Sequence, residues 1–140
     1  MFIIEKPKQI HLSSWKKMFD NSQMFRKSSE NNFDLLWNSV IKEESYAFSA
    51  KNEGDFLGFT VASIYENYKE KYLYLDLLFV KQKYRKMGVG TALLNKIEEI
   101  STNLELEFFV HGIEKTNLIA HRLFNNYRKI EKIIYKKKLD

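Results

Sequence analysis

The sequence predicts one mixed α/β domain, and three observations carry that prediction. Two segments near the start repeat apolar residues at helical spacing. A long central run alternates in the manner of a strand, and a strand–helix–strand succession follows it. The full order reads β-α-α-β-β-β-α-β-α-β, with antiparallel hairpins first and then a crossover that makes a parallel pair. No repeat, low-complexity tract or Pro/Gly/Ser-rich linker divides the 140 residues, so the expectation is a single domain over 1–140.

Phe2–Lys6 reads as a first strand. Pro7 then suits the first turn of a helix, where its missing N–H costs nothing. Leu12, Trp15, Met18 and Phe19 continue that helix, and Phe33, Leu36, Trp37, Val40 and Ile41 mark a second. Both tryptophans fall on the apolar stripes and are expected in the core. Ser45–Lys51 and Phe56–Tyr65 are β-like runs joined by the polar Asn52–Asp55, which contains Gly54 and suits a hairpin. Lys71–Val80 is the strongest strand, alternating Tyr72, Tyr74, Asp76, Leu78 and Val80 with Leu73, Leu75, Leu77 and Phe79. Gly88 opens a third helix with the stripe Val89, Ala92, Leu93, Ile97 and Ile100. Leu104–Val110 reads as a strand. Thr116 is the expected cap of a fourth helix packed through Ile119, Leu123 and Tyr127, and Ile130–Leu139 as a closing strand.

Composition excludes several function classes. There is no cysteine, hence neither a disulfide framework nor a thiolate nucleophile. The opening Met1–Pro7 has too short an apolar run for a signal peptide, and no stretch reaches the length of a membrane span. The expectation is a cytoplasmic protein without a membrane partner. The net charge of +5 is spread over scattered lysines, with clusters at Lys81–Lys86 and Lys136–Lys138. Scattered charge without an aromatic–basic RNA motif argues against a nucleic-acid partner. His11, His111 and His121 lack metal-ligand spacing with carboxylates, so no metal site is expected.

The informative stretch runs from Val80 through the basic loop to Gly88-Val89-Gly90-Thr91. The chain has only five glycines, and two of them stand here, where a strand gives way to a helix. Glycine permits close backbone approach and positive φ, while the first N–H groups of a helix lack internal partners and favour an anion. Strand, basic loop, Gly-x-Gly and helix therefore predict a phosphate cradle with Arg85 beside it. A P-loop string is absent, and the third glycine of a dinucleotide fingerprint is replaced by Leu93.

Arg85-Lys86-Met87-Gly88-Val89-Gly90 resembles the Q/R-x-x-G-x-G/A signature of the GNAT N-acetyltransferase superfamily. Asn117-Leu-Ile-Ala120-His-Arg-Leu123-Phe124 is similar to that family's N-x-x-A-x-x-L/I-Y helix. The order of elements matches that fold along nearly the whole chain. The resemblance implies a GNAT domain over 1–140 whose fourth and fifth strands splay to admit the pantetheine arm of acetyl-CoA (coenzyme A). It implies that the backbone at Leu78, Phe79 and Val80 holds that arm, and that amides of Arg85, Lys86, Met87, Gly88, Val89, Gly90 and Thr91 hold the pyrophosphate. Asn117 would help fix the cofactor, and Phe124 would sit near its sulfur.

Acyl transfer to an amine needs a base for the amine and a proton for the departing thiolate. Asp76 is the lone charged residue within the apolar run Tyr72–Val80, so it is either paired or faces a wet cleft. In similar proteins an acidic residue often occupies this place and faces the acceptor. Phe124 stands where many relatives carry a tyrosine acid, which leaves His121, Tyr127 or water as the proton source. Arg128-Lys129 replaces the glycine–aromatic pair that often follows this helix. Two readings follow: an N-acetyltransferase acting on a primary amine of a small molecule or peptide in a ternary complex, and a non-catalytic acyl-CoA-binding regulatory module, which Phe124 favours. The final strand offers an edge to a second copy, and by analogy with similar proteins a homodimer is the partner to test.

Overall fold

The computed structural model describes residues 1–21, 30–111, 113 and 116–139. Its frame is a five-stranded sheet in the order β1-β2-β3-β4-β5. The strands are β1 (Ile3–Glu5), β2 (Tyr46–Lys51), β3 (Phe56–Glu66), β4 (Lys71–Val80) and β5 (Phe108–Phe109). The first four pair antiparallel, and β5 joins β4 in parallel. Helices α1 (Leu12–Asn21), α2 (Glu30–Ile41), α3 (Val89–Leu104) and α4 (Leu118–Leu123) complete the chain.

Apolar periodicity explains which face each helix covers. Trp15, Met18 and Phe19 of α1 and Phe33, Trp37 and Val40 of α2 pack on Ala47, Phe56, Phe59 and Val61, with Leu77 and Phe79 beside them. The opposite face takes α3: Val89 and Leu93 meet Ala50, Leu57, Leu78 and Val80, while Ile97 meets Ala62 and Leu73. Trp15 is fully buried, stacks on Phe59 at 4.3 Å and donates its indole N–H to Ser49 Oγ at 2.8 Å. A buried indole needs such a partner. Both tryptophans lie in the core, as their stripes predict.

The middle strands follow the sequence expectation closely, and the ends depart from it. Pro7 lies before any helix, because Lys8 is extended and its N–H is accepted by His11 Nδ1 at 3.0 Å; a 3-10 turn over Gln9–His11 then leads into α1. Helix α3 runs on to Leu104, so β5 is confined to Phe108–Phe109 rather than Leu104–Val110. Asn117, not Thr116, caps α4, its side-chain oxygen accepting from Ala120 N at 3.1 Å. The expected closing strand over Ile130–Leu139 is absent. Residues 128–139 have no regular structure, and Ile133, Ile134 and Tyr135 are 80%, 87% and 90% exposed. Alternation supplies strand propensity, but a strand also needs a neighbouring backbone to pair with.

The continuous alternation of β4 is also broken. Val61 pairs with Leu77 and Ala62 with Leu75, so Asp76 is an extra residue in a β-bulge. Before it Leu73 faces α3, and after it Leu77 and Phe79 face α1 and α2. A pairing shift between distant strands leaves no mark on the one-dimensional pattern. Just beyond, β3 and β4 approach so closely that a Cβ on Gly58 would lie 2.3 Å from the carbonyl oxygen of Phe79. Only glycine lets the end of β4 sit there.

Candidate active site

The site begins where β4 loses one neighbour. On the β3 side its pairing is continuous from Lys71 to Val80, apart from the bulge. On the β5 side pairing is limited to Leu73↔Phe108 and Tyr74↔Phe109, with Leu73 N–H also donating to Glu107 O at 2.9 Å. From Leu75 to Val80 that edge has no strand partner among the described residues. Unpaired backbone groups at a strand edge are donors and acceptors ready for another extended chain. Leu78, Phe79 and Val80 lie on this open edge, half-buried.

Asp76 stands at the mouth of the split. Its carboxylate accepts the hydroxyl proton of Ser63, the strand partner of Tyr74. The residue is exposed to solvent. Desolvation pushes its carboxyl above the ordinary carboxylate range, and the Ser63 hydrogen bond opposes this in part.

Beyond Val80 the loop is tied back on itself: Tyr84 N–H donates to Lys81 O at 2.9 Å and Arg85 N–H to Gln82 O at 3.2 Å. Lys81 N–H donates to Leu57 O at 2.9 Å, and a 3-10 turn spans Gln82–Tyr84. Arg85 Nε donates back to Val80 O at 2.9 Å. Lys86 (φ 66°) and Gly88 (φ 84°) are both left-handed, which bends the chain sharply into α3. For the lysine that conformation costs roughly 1–2 kcal/mol, so the surrounding contacts must hold it. The first i→i−4 bond runs from Ala92 N to Gly88 O at 3.0 Å, leaving the N–H groups of Val89, Gly90 and Thr91 without helical acceptors. No side chain caps this end and no acid lies in its first turn. In the 16-residue α3 the dipole adds to these donors, which together make a seat for an anion.

Gly88 has nothing within 4 Å of a Cβ position, so it is needed for its positive φ. Gly90 would place a Cβ 3.7 Å from Leu123 and 3.8 Å from Val80. The first turn of α3 is thus roofed by α4 on one side and by the end of β4 on the other.

The basic loop is less free than its composition suggests. Asp55, at the β2–β3 hairpin, accepts from Lys81 Nζ at 2.8 Å, Tyr84 Oη at 2.7 Å and Phe56 N at 2.8 Å, with Lys83 Nζ at 3.5 Å. These bonds, first those from Lys81 and Tyr84, hold its carboxyl well below the usual range. The stability the clasp contributes is therefore fully present above the unfolded value near 3.9 and is lost as the pH falls from there through the lower folded value. Asp55→Asn is expected to weaken affinity for a diphosphate-bearing ligand several-fold, about 1 kcal/mol, because the loop that aims the N–H groups loosens. Isothermal titration with coenzyme A measures this, and unchanged affinity would show the clasp to be irrelevant.

On α4, Asn117 caps the helix while His121 is exposed. Phe124 is half-buried and meets Tyr127 edge-to-face at 5.2 Å. Tyr127 donates its hydroxyl to Glu98 of α3, and burial followed by that hydrogen bond raises the phenol well above its ordinary value. Glu98 lies seven residues beyond Thr91, about 10 Å along the helix. The structure therefore brings Leu123 to the cradle and ties Tyr127 elsewhere on α3.

Sequence reasoning passed over the face beside Asp76. Tyr65 stacks on Tyr72 at 5.0 Å, Tyr72 on Phe109 at 4.3 Å, and His111 lies 5.0 Å from Tyr74. Tyr72 and Tyr74 were visible only as strand alternation, and His111 belonged to no pattern. Among the described residues no cluster of His, Cys, Asp and Glu could hold a metal ion, and no helix is long and apolar enough to cross a membrane.

A family model described as acetyltransferase (GNAT) family matches residues 9–127. The aminoglycoside acetyltransferase AAC(6')-Iy, solved with the bisubstrate analog CoA-S-monomethyl-acetylneamine, is similar in fold at a TM-score of 0.84 and 19% identity, covering 100% of this chain and 99% of that one. AAC(6')-Ih from Acinetobacter baumannii gives 0.80 and 18%, over 100% and 99% of the two chains. A transcriptional regulator from Bacillus halodurans C-125 gives 0.79 and 14%, over 99% and 100%. No curated protein matches the chain in sequence.

Proposed function

Since the chain belongs to the GNAT acetyltransferase family, we propose that it transfers an acetyl group from acetyl-CoA to a primary amine in a ternary complex. One observation carries this reading. Strand β4 loses its parallel partner after Tyr74, runs on to Val80, and delivers the chain into the uncapped start of α3. An extended, amide-bearing arm ending in a diphosphate is complementary to such a strand edge followed by such a helix terminus.

The residues present fit that cosubstrate. The backbone of Leu78, Phe79 and Val80 would hold the arm, and amides from Lys86 to Thr91 the pyrophosphate, since the Arg85 N–H expected to join them donates to Gln82 O, with Asn117 and Phe124 on the α4 side. When bound, acetyl-CoA supplies a thioester carbonyl as the electrophile. On the acceptor side the amine must be neutral to attack. For an alkylamine of pKa about 10.4 this costs roughly 4.6 kcal/mol at neutral pH. Asp76 takes a proton from the amine nitrogen, directly or through water, as the nitrogen–carbon bond forms and the carbon–sulfur bond breaks. The raised carboxyl value favours this task over that of a permanent anion. The thiolate is protonated by His121 or water, because the Tyr127 hydroxyl already donates to Glu98.

Coenzyme A at a hundred times its Kd is expected to stabilise the fold by about 2.7 kcal/mol in thermal unfolding, and ATP or NAD is not. A thiol-release screen then tests transfer itself. Aminoglycosides lead the panel, since neighbours of this fold acetylate them, followed by polyamines, amino acids and peptides. Stabilisation without thiol release from any amine would defeat the enzymatic reading.

A further inference from the structure

We infer that His111 is a second proton-handling residue of the acceptor site, standing with Asp76 at the mouth of the split between β4 and β5. This rests on the function proposed above and deepens it. Tyr74 and Phe109 form the last parallel pair. Two residues farther along each strand direction stand Asp76 and His111. Both lie on the same face of the sheet. Asp76 bonds Ser63, which pairs with Tyr74, and the His111 ring lies 5.0 Å from the Tyr74 ring and stacks with Phe109 at 6.0 Å and Tyr72 at 6.4 Å. His111 is exposed, so solvent reaches the imidazole as well.

Proton stoichiometry explains why two such groups belong there. An alkylammonium that becomes an amide loses two protons from nitrogen. The imidazole of His111 takes the first, leaving a neutral amine, and passes it to solvent. The lone pair then forms the nitrogen–carbon bond while the carbon–sulfur bond breaks and its electrons leave on sulfur. The second nitrogen proton goes to Asp76, and the sulfur ends protonated through His121 or water. Asp76 then returns its proton to solution, so that with one proton taken up by sulfur a net single proton is released per turnover and charge balances. Imidazole is the side-chain type suited to accept and release a proton near neutrality. The groups around the ring are Tyr72 and Tyr74 on β4, with Tyr65 on β3 behind Tyr72 and Asp76 farther along β4.

His111→Phe separates a proton carrier from a stacking ring, since phenylalanine keeps the stack and lacks the nitrogens. Thiol release with the best amine of the panel is expected to fall roughly 100-fold, with KM for acetyl-CoA and stabilisation by coenzyme A unchanged. A His111→Phe protein that turns over at the wild-type rate overturns the assignment. If that variant loses its stabilisation by coenzyme A, His111→Gln is read by the same two outcomes. A wild-type protein that binds coenzyme A but releases no thiol defeats the transferase reading and His111's role with it. Wild-type turnover with an equally fast His111→Phe defeats only the latter.

Discussion

Asp76→Asn is expected to slow thiol release by about 10²–10⁴-fold while leaving stabilisation by coenzyme A intact. That range is the usual worth of a positioned base. The bulge at Asp76 takes the carboxylate out of the alternation of β4 and sets it at the point where the β5 partner ends. Its folded value lies above the unfolded one, because desolvation outweighs the bond from Ser63. A carboxyl raised in this way contributes its stability at low pH, and that contribution is lost as the pH rises through the folded value. At neutral pH the asparagine variant should therefore unfold no more easily than the wild type, although its activity collapses. The wild-type rate should climb with pH across a limb above the ordinary carboxylate range, and the variant should lack that limb. Turnover at the wild-type rate would remove Asp76 from the chemistry.

Gly90→Trp is expected to abolish coenzyme A binding. The Cβ direction at Gly90 points between Leu123 and Val80, at 3.7 and 3.8 Å. A methyl group fits there in ordinary contact, so Gly90→Ala should keep binding and gain roughly 0.5–1 kcal/mol of helix stability. An indole must push Leu123 away and with it α4, or push Val80 and the open end of β4. Either movement deforms one wall of the anion seat. Thermal unfolding with and without coenzyme A compares the two variants, and circular dichroism checks that the tryptophan variant retains its sheet. A folded tryptophan variant with full stabilisation by coenzyme A would show that the first turn of α3 is not the seat.

How much of this was legible in the residues differs from element to element. The bounds of β4, the helix opening after Gly88 and the burial of Trp15 and Trp37 all rest on signals contained within a few residues. The first turn of α3, to which the two-motif resemblance points, has N–H groups without helical acceptors, whereas the loop before it spends the amides of Lys81, Tyr84 and Arg85 internally. Asp55 gave no such signal, since its partners Lys81 and Tyr84 are 26 and 29 residues away. Tyr127 is likewise tied to Glu98 across 29 residues, which no helical wheel reveals. His111 became meaningful only once Tyr74 lay beside it.

What the residues determined alone was the local grammar: helix stripes, hairpin turns, a long apolar strand and a glycine-opened helix. Tertiary structure decided the bulge that turns Asp76 out, the early end of β5, the clasp at Asp55 and the failure of Ile130–Leu139 to become a strand. The reason is physical. Helical bonds and turn conformations are satisfied within neighbouring residues, whereas strand pairing and cleft geometry depend on free energies shared between segments far apart in the chain.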